Sequence, residues 1–302
     1  MDFFEELDHK SLLKELSSMS YQNEIVKLSY LGNSILGKEI PFITLGDDSA
    51  KKSVLYVSTH HATENITTSV LLSFIEEYLN AYNNVSQICG INIRYLFKMR
   101  RIYIVPMLNP DGVEYRLNGL SDDNPIKERV IAYNGDKDFT KWNANARGVD
   151  LNHNYNASFE EYKIYERANE ITAGKTKYSG EYPESEPETQ ALANFIRLIS
   201  EELKGIITLH TQGEEIYCKP NGITVKNTEI ISRHVSRMCG YPICDTEGSA
   251  SYGGLTDYAI RELNIPSYTL ECGKGENPLD IKQSKSIYTR LRELLFTFPI
   301  LF

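Results

Sequence analysis

Apolar positions along the 302-residue chain follow two rhythms, and their alternation predicts the architecture. Over residues 1–20, Phe4, Leu7, Leu12, Leu13 and Leu16 recur at roughly helical spacing, which predicts an amphipathic N-terminal helix. Residues 25–30 and 40–45 are short apolar, β-prone runs punctuated by LGNS and Gly37, as turns would punctuate them. SVLYVST at 53–59 reads as a buried strand and 66–82 as a helix. Two further strand-like runs occupy 90–106, and polar, loop-like sequence fills 107–160. A helix is predicted over 186–203, a strand over 205–209 and a helix over 227–239. A glycine-rich stretch at 248–254, a helix at 255–263, a strand at 267–272 and a helix at 280–296 close the chain. Strands alternating with helices predict a three-layer α/β/α domain on a mixed, largely parallel central sheet. Without a repeat, a low-complexity tract or a linker, residues 1–302 read as a single domain.

Composition narrows the function classes. The net charge of −9 disfavours nonspecific binding to phosphate backbones or anionic membranes, so neither nucleic acid nor a membrane is an expected partner. Five cysteines, an odd number without a CxxC pair, fit reduced thiols better than a disulfide framework. The N-terminal residues lack a basic segment followed by an apolar core, and no run approaches 18 apolar residues. The expectation is a cytoplasmic enzyme; oligomeric state leaves no mark in the sequence.

Candidate chemistry begins with His61 and Glu64. A spacing of three puts both side chains on one face of a helical turn, where both reach one ion. A neutral imidazole and a carboxylate suit Zn²⁺, and a catalytic zinc needs three protein ligands with one position left for water. His210, at the end of the apolar run GIITLH, is the candidate third ligand. His60 competes locally with His61 but lies four residues before Glu64. HxxE alone arises often by chance, so the assignment needs its surroundings.

Those surroundings resemble the zinc carboxypeptidase superfamily, the M14 metallopeptidases. LGNSILGKEIPFITLG resembles the opening strand pair of that family, STHHATEN its HxxE element, and VPMLNPDGVEY its proline–asparagine–aspartate–glycine segment. WNANARGVDLNHNY is similar to its tryptophan and GVDLNRN segments, ITLHTQGEE to the strand of the third ligand, and SYTLECGKGENP to the strand of the catalytic glutamate. The six matches run in order over nearly the whole chain. YPESEPETQA, LHTQGEEIY and GKGENPL are further similar to γ-D-glutamyl-diaminopimelate peptidases, which cut bacterial cell-wall peptides.

The resemblance implies one zinc per chain, on His61, Glu64 and His210, with Glu271 as the catalytic carboxylate. Such a glutamate takes the proton of the attacking water and later passes it to the leaving amine. Asp150 matches the aspartate that hydrogen-bonds a zinc-binding histidine and so sets its tautomer. Asn152 and His153 match the pair that grips the substrate carboxylate, but the family's arginine is His153 here. Histidine lacks the permanent, bidentate charge of arginine, which puts ordinary C-terminal carboxypeptidase activity in doubt. Arg147 is the first candidate to replace that arginine, ahead of Arg100, Arg101 and Arg116. Asn143 stands where many relatives keep the arginine that polarises the scissile carbonyl. Tyr252, flanked by glycine, is the candidate for a mobile tyrosine; Gln212 and Glu214 are candidates for lining the specificity pocket.

The expected reaction is hydrolysis of a small muropeptide between γ-D-glutamate and meso-diaminopimelate. The alternatives are another carboxypeptidase specificity, an N-acyl-amino-acid hydrolase, and a non-catalytic binding module on the same fold.

Overall fold

The computed structural model describes residues 5–246 and 248–302. Phe4 and the rest of residues 1–4 lie outside the described residues; residues 5–8, Leu7 among them, are not helical, and the helix expected over 1–20 begins only at His9 as α1 (His9–Gln22). Asp8 caps it, its carboxylate accepting from the Ser11 amide at 2.8 Å. In chain order follow β1 (Val26–Asn33), β2 (Glu39–Leu45), β3 (Ser53–Ser58), α2 (Ile66–Asn80) and a two-stranded ribbon, β4 (Gln87–Ile88) with β5 (Ile91–Asn92). Next come α3 (Ile93–Met99), β6 (Arg101–Val105), α4 (Pro110–Asn118), α5 (Lys127–Asn134), α6 (Phe159–Ala168) and α7 (Pro187–Leu198). The chain ends with β7 (Leu203–His210), β8 (Glu215–Pro220), α8 (Thr228–Cys239), β9 (Ile243–Thr246), α9 (Leu255–Arg261), β10 (Ser267–Glu271) and α10 (Ser284–Thr297).

Eight strands form one mixed sheet in the order β1-β2-β6-β3-β7-β10-β8-β9. The central four, β6, β3, β7 and β10, are mutually parallel. Antiparallel pairing enters at β1–β2, β2–β6 and β10–β8. Side chains on β3 alternate between two cores, as a strand covered on both faces requires. Val54 and Tyr56 join one core with Phe74 of α2, Val235 of α8 and Leu291 of α10. Leu55 and Val57 join the other with Leu192 of α7 and Tyr258 of α9. The expected three-layer α/β/α arrangement on a mixed sheet is therefore present.

Three expectations change. Of the two strand-like runs at 90–106, only the second is a main-sheet strand; the first folds as α3, capped by the Asn92 side chain on the Tyr95 amide at 2.9 Å. Aromatic and β-branched residues there are used on a helix, since packing overrides propensity. The loop-like stretch 107–160 contains α4, α5 and the start of α6. Strands β8 and β9 were not anticipated; β8 alternates buried and half-buried positions along EIYCKP.

Candidate active site

Strand ends gather the site. β3 and β7 run parallel with Ser58 beside Leu209, and β7 and β10 with His210 directly beside Glu271. All three strands finish at one edge of the sheet, where parallel α/β sheets form their crevices. After β3, Thr59 adopts φ 57°, an unusual conformation for a β-branched residue. Its hydroxyl is held by those of Thr67 (3.1 Å) and Thr68 (2.9 Å). This turn delivers His60, His61 and the short 3-10 turn Ala62–Glu64.

One side chain holds the loops together. Buried Asn109 donates its amide to the carbonyls of His60 (3.0 Å), Asn143 (3.1 Å) and Ala144 (3.1 Å). Its carboxamide oxygen caps α4 at the Gly112 amide, 3.0 Å away. A Cβ on Gly112 would overlap the Ala144 carbonyl and Asn109 itself, so the NPDG segment admits only glycine there.

His61, Glu64 and His210 present ligand atoms that all lie within 4.8 Å of one another. The Nδ1 atoms of His61 and His210 each sit 2.9 Å from a different oxygen of Glu64. His61 Nε2 lies 2.9 Å from Asp150 Oδ1, while Asp150 Oδ2 accepts from the Lys177 amide at 3.0 Å and from Thr176. With its Nε2–H given to Asp150, a neutral His61 turns an Nδ1 lone pair toward Glu64. Two imidazole nitrogens and a carboxylate converging this way form the donor set of a catalytic zinc with an open position. Charge acts in the same direction. Burial alone would lower the His61 pKa, but Glu64 and Asp150 push it well up. Burial would raise Glu64, yet the two imidazoles bring it down to about 2. The locus favours positive charge, and a divalent cation meets that demand.

His61 and His210 are supported differently. Asp150 holds the remote nitrogen of His61, whereas the remote nitrogen of His210 is buried and lacks a hydrogen-bond partner among the described residues. Instead His60 stacks on His210, with ring centroids 5.3 Å apart and planes at 25°. His60 Nε2 lies 2.9 Å from the Tyr155 hydroxyl, and burial, reinforced by His210 and His61, keeps His60 neutral. His60 is thus a backing ring, and His61 is the one that faces Glu64.

Glu271 lines a cavity of about 450 Å³ that also touches Asn152, Gln212, Lys219, Asp245, Thr246 and Asp257. Burial raises its pKa to about 7, with His210 pulling down and Glu64 pushing up. That value suits a group that must take and return a proton near neutrality.

The structure separates the remaining candidates. Asn152 and Gln212 line the cavity, and Asn152 Oδ1 accepts from the Leu255 amide at 3.2 Å. His153 does not line it. Its ring stacks on Tyr162 (4.0 Å, 13°), and its Nδ1 lies 2.7 Å from the Tyr252 carbonyl, so it staples the 248–254 loop. Gly253, at φ 72°, would overlap the His153 carbonyl if it carried a Cβ. Tyr252 is held at its backbone by this staple and lies outside the cavity lining.

Arg147 turns away as well. It donates to the buried Glu186 (3.0 Å) and to the Ser185 carbonyl (3.1 Å), because the carboxylate at the start of α7 requires a counter-charge. Arg100 binds the Pro299 and Phe302 carbonyls, Arg101 pairs with Glu202, and Arg116 pairs with Glu6. Glu214 pairs with Lys274 at 3.1 Å and does not line the cavity. Asn143 clips the metal-ligand turn, its Oδ1 accepting from the Thr63 amide (3.3 Å) and hydroxyl. Its side-chain nitrogen Nδ2 makes no hydrogen bond among the described residues.

Among the described residues, the only cationic side chain lining the cavity is Lys219. Neither it nor Asn109, Asp245 and Asp257 was singled out from the sequence. Asn109 had a signal, the NPDG motif; the others had none.

Residues 11–293 match the zinc carboxypeptidase family, Peptidase_M14. The chain is 32% identical over 283 residues to γ-D-glutamyl-L-diamino acid endopeptidase 1 of Lysinibacillus sphaericus, spanning 93% of this chain and 69% of that protein. Its fold is similar to thrombin-activatable fibrinolysis inhibitor (TM-score 0.74, 17% identity, 98% of this chain and 77% of that one). It is also similar to murein-tripeptide amidase MpaA from Escherichia coli O157 (TM-score 0.54, 21% identity, 88% and 91%). With a family match across nearly its whole length and a zinc-type donor set at its strand ends, the chain belongs to the M14 zinc carboxypeptidase family of metallopeptidases.

Proposed function

We propose that the chain hydrolyses small cell-wall peptides between γ-D-glutamate and meso-diaminopimelate, acting as one domain. The observation that carries this reading is the 32% identity to a γ-D-glutamyl-L-diamino acid endopeptidase across 93% of the chain. Zinc on His61, Glu64 and His210 supplies a Lewis acid for the scissile carbonyl and for water. Glu271 takes the proton of the attacking water and delivers it to the departing amine nitrogen. Asp150 sets the tautomer of His61, and the free amide nitrogen of Asn143 is the donor nearest in role to the family's carbonyl-polarising arginine. Asn152 and Gln212 line the substrate cavity. The five free thiols fit a reducing, cytoplasmic setting, and no helix among the described residues is long and apolar enough to cross a membrane.

The test pairs L-Ala-γ-D-Glu-meso-diaminopimelate with a hippuryl peptide bearing a C-terminal L-amino acid. Release of meso-diaminopimelate is expected; cleavage of the hippuryl peptide alone would overturn the substrate assignment. Metal analysis separates a hydrolase from a binding module, since the hydrolase requires stoichiometric zinc.

A further inference from the structure

The cavity beside Glu271 is also lined by charged residues that the proton-transfer step does not use. β8 and β9 run parallel, with Tyr217 beside Cys244 and Pro220 beside Thr246. The register shifts between these two pairs; Lys219 and Asp245 lie in that interval on neighbouring strands, and both line the cavity. Neither side chain makes a hydrogen bond or ion pair among the described residues. Asp257, on α9, lines the same space while only 3% exposed. Neither of its carboxylate oxygens accepts a hydrogen bond, although Arg261 Nε lies 3.0 Å from Oδ1.

This lining constrains what fills it. An apolar side chain would take the ends of Lys219 and Asp245 out of water without replacing their hydrogen bonds, which is unfavourable. A side chain ending in an ammonium alone would meet the acids and leave Lys219 opposed. An end that carries an ammonium and a carboxylate on one carbon answers both signs at once.

We propose that this cavity holds the zwitterionic end of a diamino dicarboxylic acid side chain, with Lys219 receiving the carboxylate and Asp245 the ammonium. Asp257, paired with Arg261 at 3.0 Å, closes the inner wall. The assignment rests on the muropeptide reading of the same site and sharpens it. The cavity distinguishes meso-diaminopimelate from lysine, the diamino acid that lacks the second carboxylate. Lys219 thereby supplies a positive charge in the cavity that His153 and Arg147 do not, at the side-chain end of the substrate.

Two measurements on the zinc-loaded full chain test this separately from the reaction. Calorimetry with free meso-diaminopimelate and free L-lysine reads the cavity. Cleavage of L-Ala-γ-D-Glu-meso-diaminopimelate and L-Ala-γ-D-Glu-L-lysine reads the chemistry. Meso-diaminopimelate is expected to bind about tenfold more tightly than lysine, as one charge-assisted hydrogen bond allows. Lys219→Met should erase that preference and raise KM for the diaminopimelate peptide with kcat little changed, while Lys219→Arg retains it. Asp245→Asn should weaken both ligands. Equal binding of the two amino acids, or a preference that survives Lys219→Met, would overturn the cavity assignment even if the peptide is cut. A preference abolished by Lys219→Met without any peptide cleavage would uphold the assignment and overturn the muropeptide reaction.

Discussion

The cleft has two walls of different construction. The metal wall is built from the ends of β3, β7 and β10, and a buried hydrogen-bond network runs through it: His61 is held by Glu64 and Asp150, Asp150 by Lys177, and the loops by Asn109. The far wall is built from the turn after β7, β8, β9 and the start of α9, and there Gln212, Lys219 and Asp245 line the cavity with no side-chain partner among the described residues. Buried polar networks are costly to leave incomplete, so the metal wall tolerates little change. The far wall loses little stability when a side chain is exchanged, so substrate preference can change there while the chemistry stays fixed.

The largest expected effect tests whether the metal wall is catalytic as well as ordered. Glu271→Ala should lower kcat by about 10³-fold or more, in line with a lost general base, while zinc stoichiometry holds. Surviving turnover in a zinc-replete sample would refute the role given to Glu271. Next, Asp150→Asn should weaken zinc about 10–100-fold in a chelator competition, because His61 loses its orienting carboxylate. Unchanged affinity would mean that the hydrogen bond does not reach the metal. Tyr155→Phe removes the hydroxyl from His60 but leaves the stack on His210, and His60→Ala removes the stack. Zinc dissociation should accelerate more in the second variant than in the first, by less than the Asp150→Asn effect; equal rates for both would show that stacking is not what holds His210.

A stability prediction concerns the buried carboxyl of Glu188 on α7. Burial, with Asp111 beside it, raises Glu188 from 4.5 to about 8. The folded chain thus keeps a proton that the unfolded chain has lost between those values, so stability falls as pH rises through that window, by at most about 1.4 kcal/mol per pH unit. Glu188→Gln should flatten that loss and melt higher than the parent at pH 8. A parent Tm that does not fall more steeply than that of Glu188→Gln from pH 5 to pH 8 would contradict it. The smallest effect belongs to the far wall: Lys219→Met should change stability by no more than about 0.5 kcal/mol, as an unpartnered surface position does. A larger loss would show that Lys219 is structural.

What was legible in the sequence follows the same division. Strands β3, β7 and β10 bury both faces and so read as continuous apolar runs, and the residues at or just after their ends were within reach of motif spacing. β8 alternates along EIYCKP and follows a polar turn, so it passed unnoticed, and Lys219 with it. His153 and Arg147 illustrate the converse. Their residue types suited an anion site, but one ring was recruited to fasten a loop and one guanidinium to neutralise Glu186, and neither use leaves a pattern in the chain.

Asn109 has a consequence for how the molecule opens. Its single carboxamide joins the loop after β3, the Asn143–Ala144 segment and the first turn of α4. None of the three can swing out alone without stranding buried donors and acceptors on the other two. They should therefore behave as one cooperative unit in native-state hydrogen exchange. The Ala62 amide, bonded to Asn143, and the Gly112 amide, bonded to Asn109, are expected to exchange together and as slowly as the central strands.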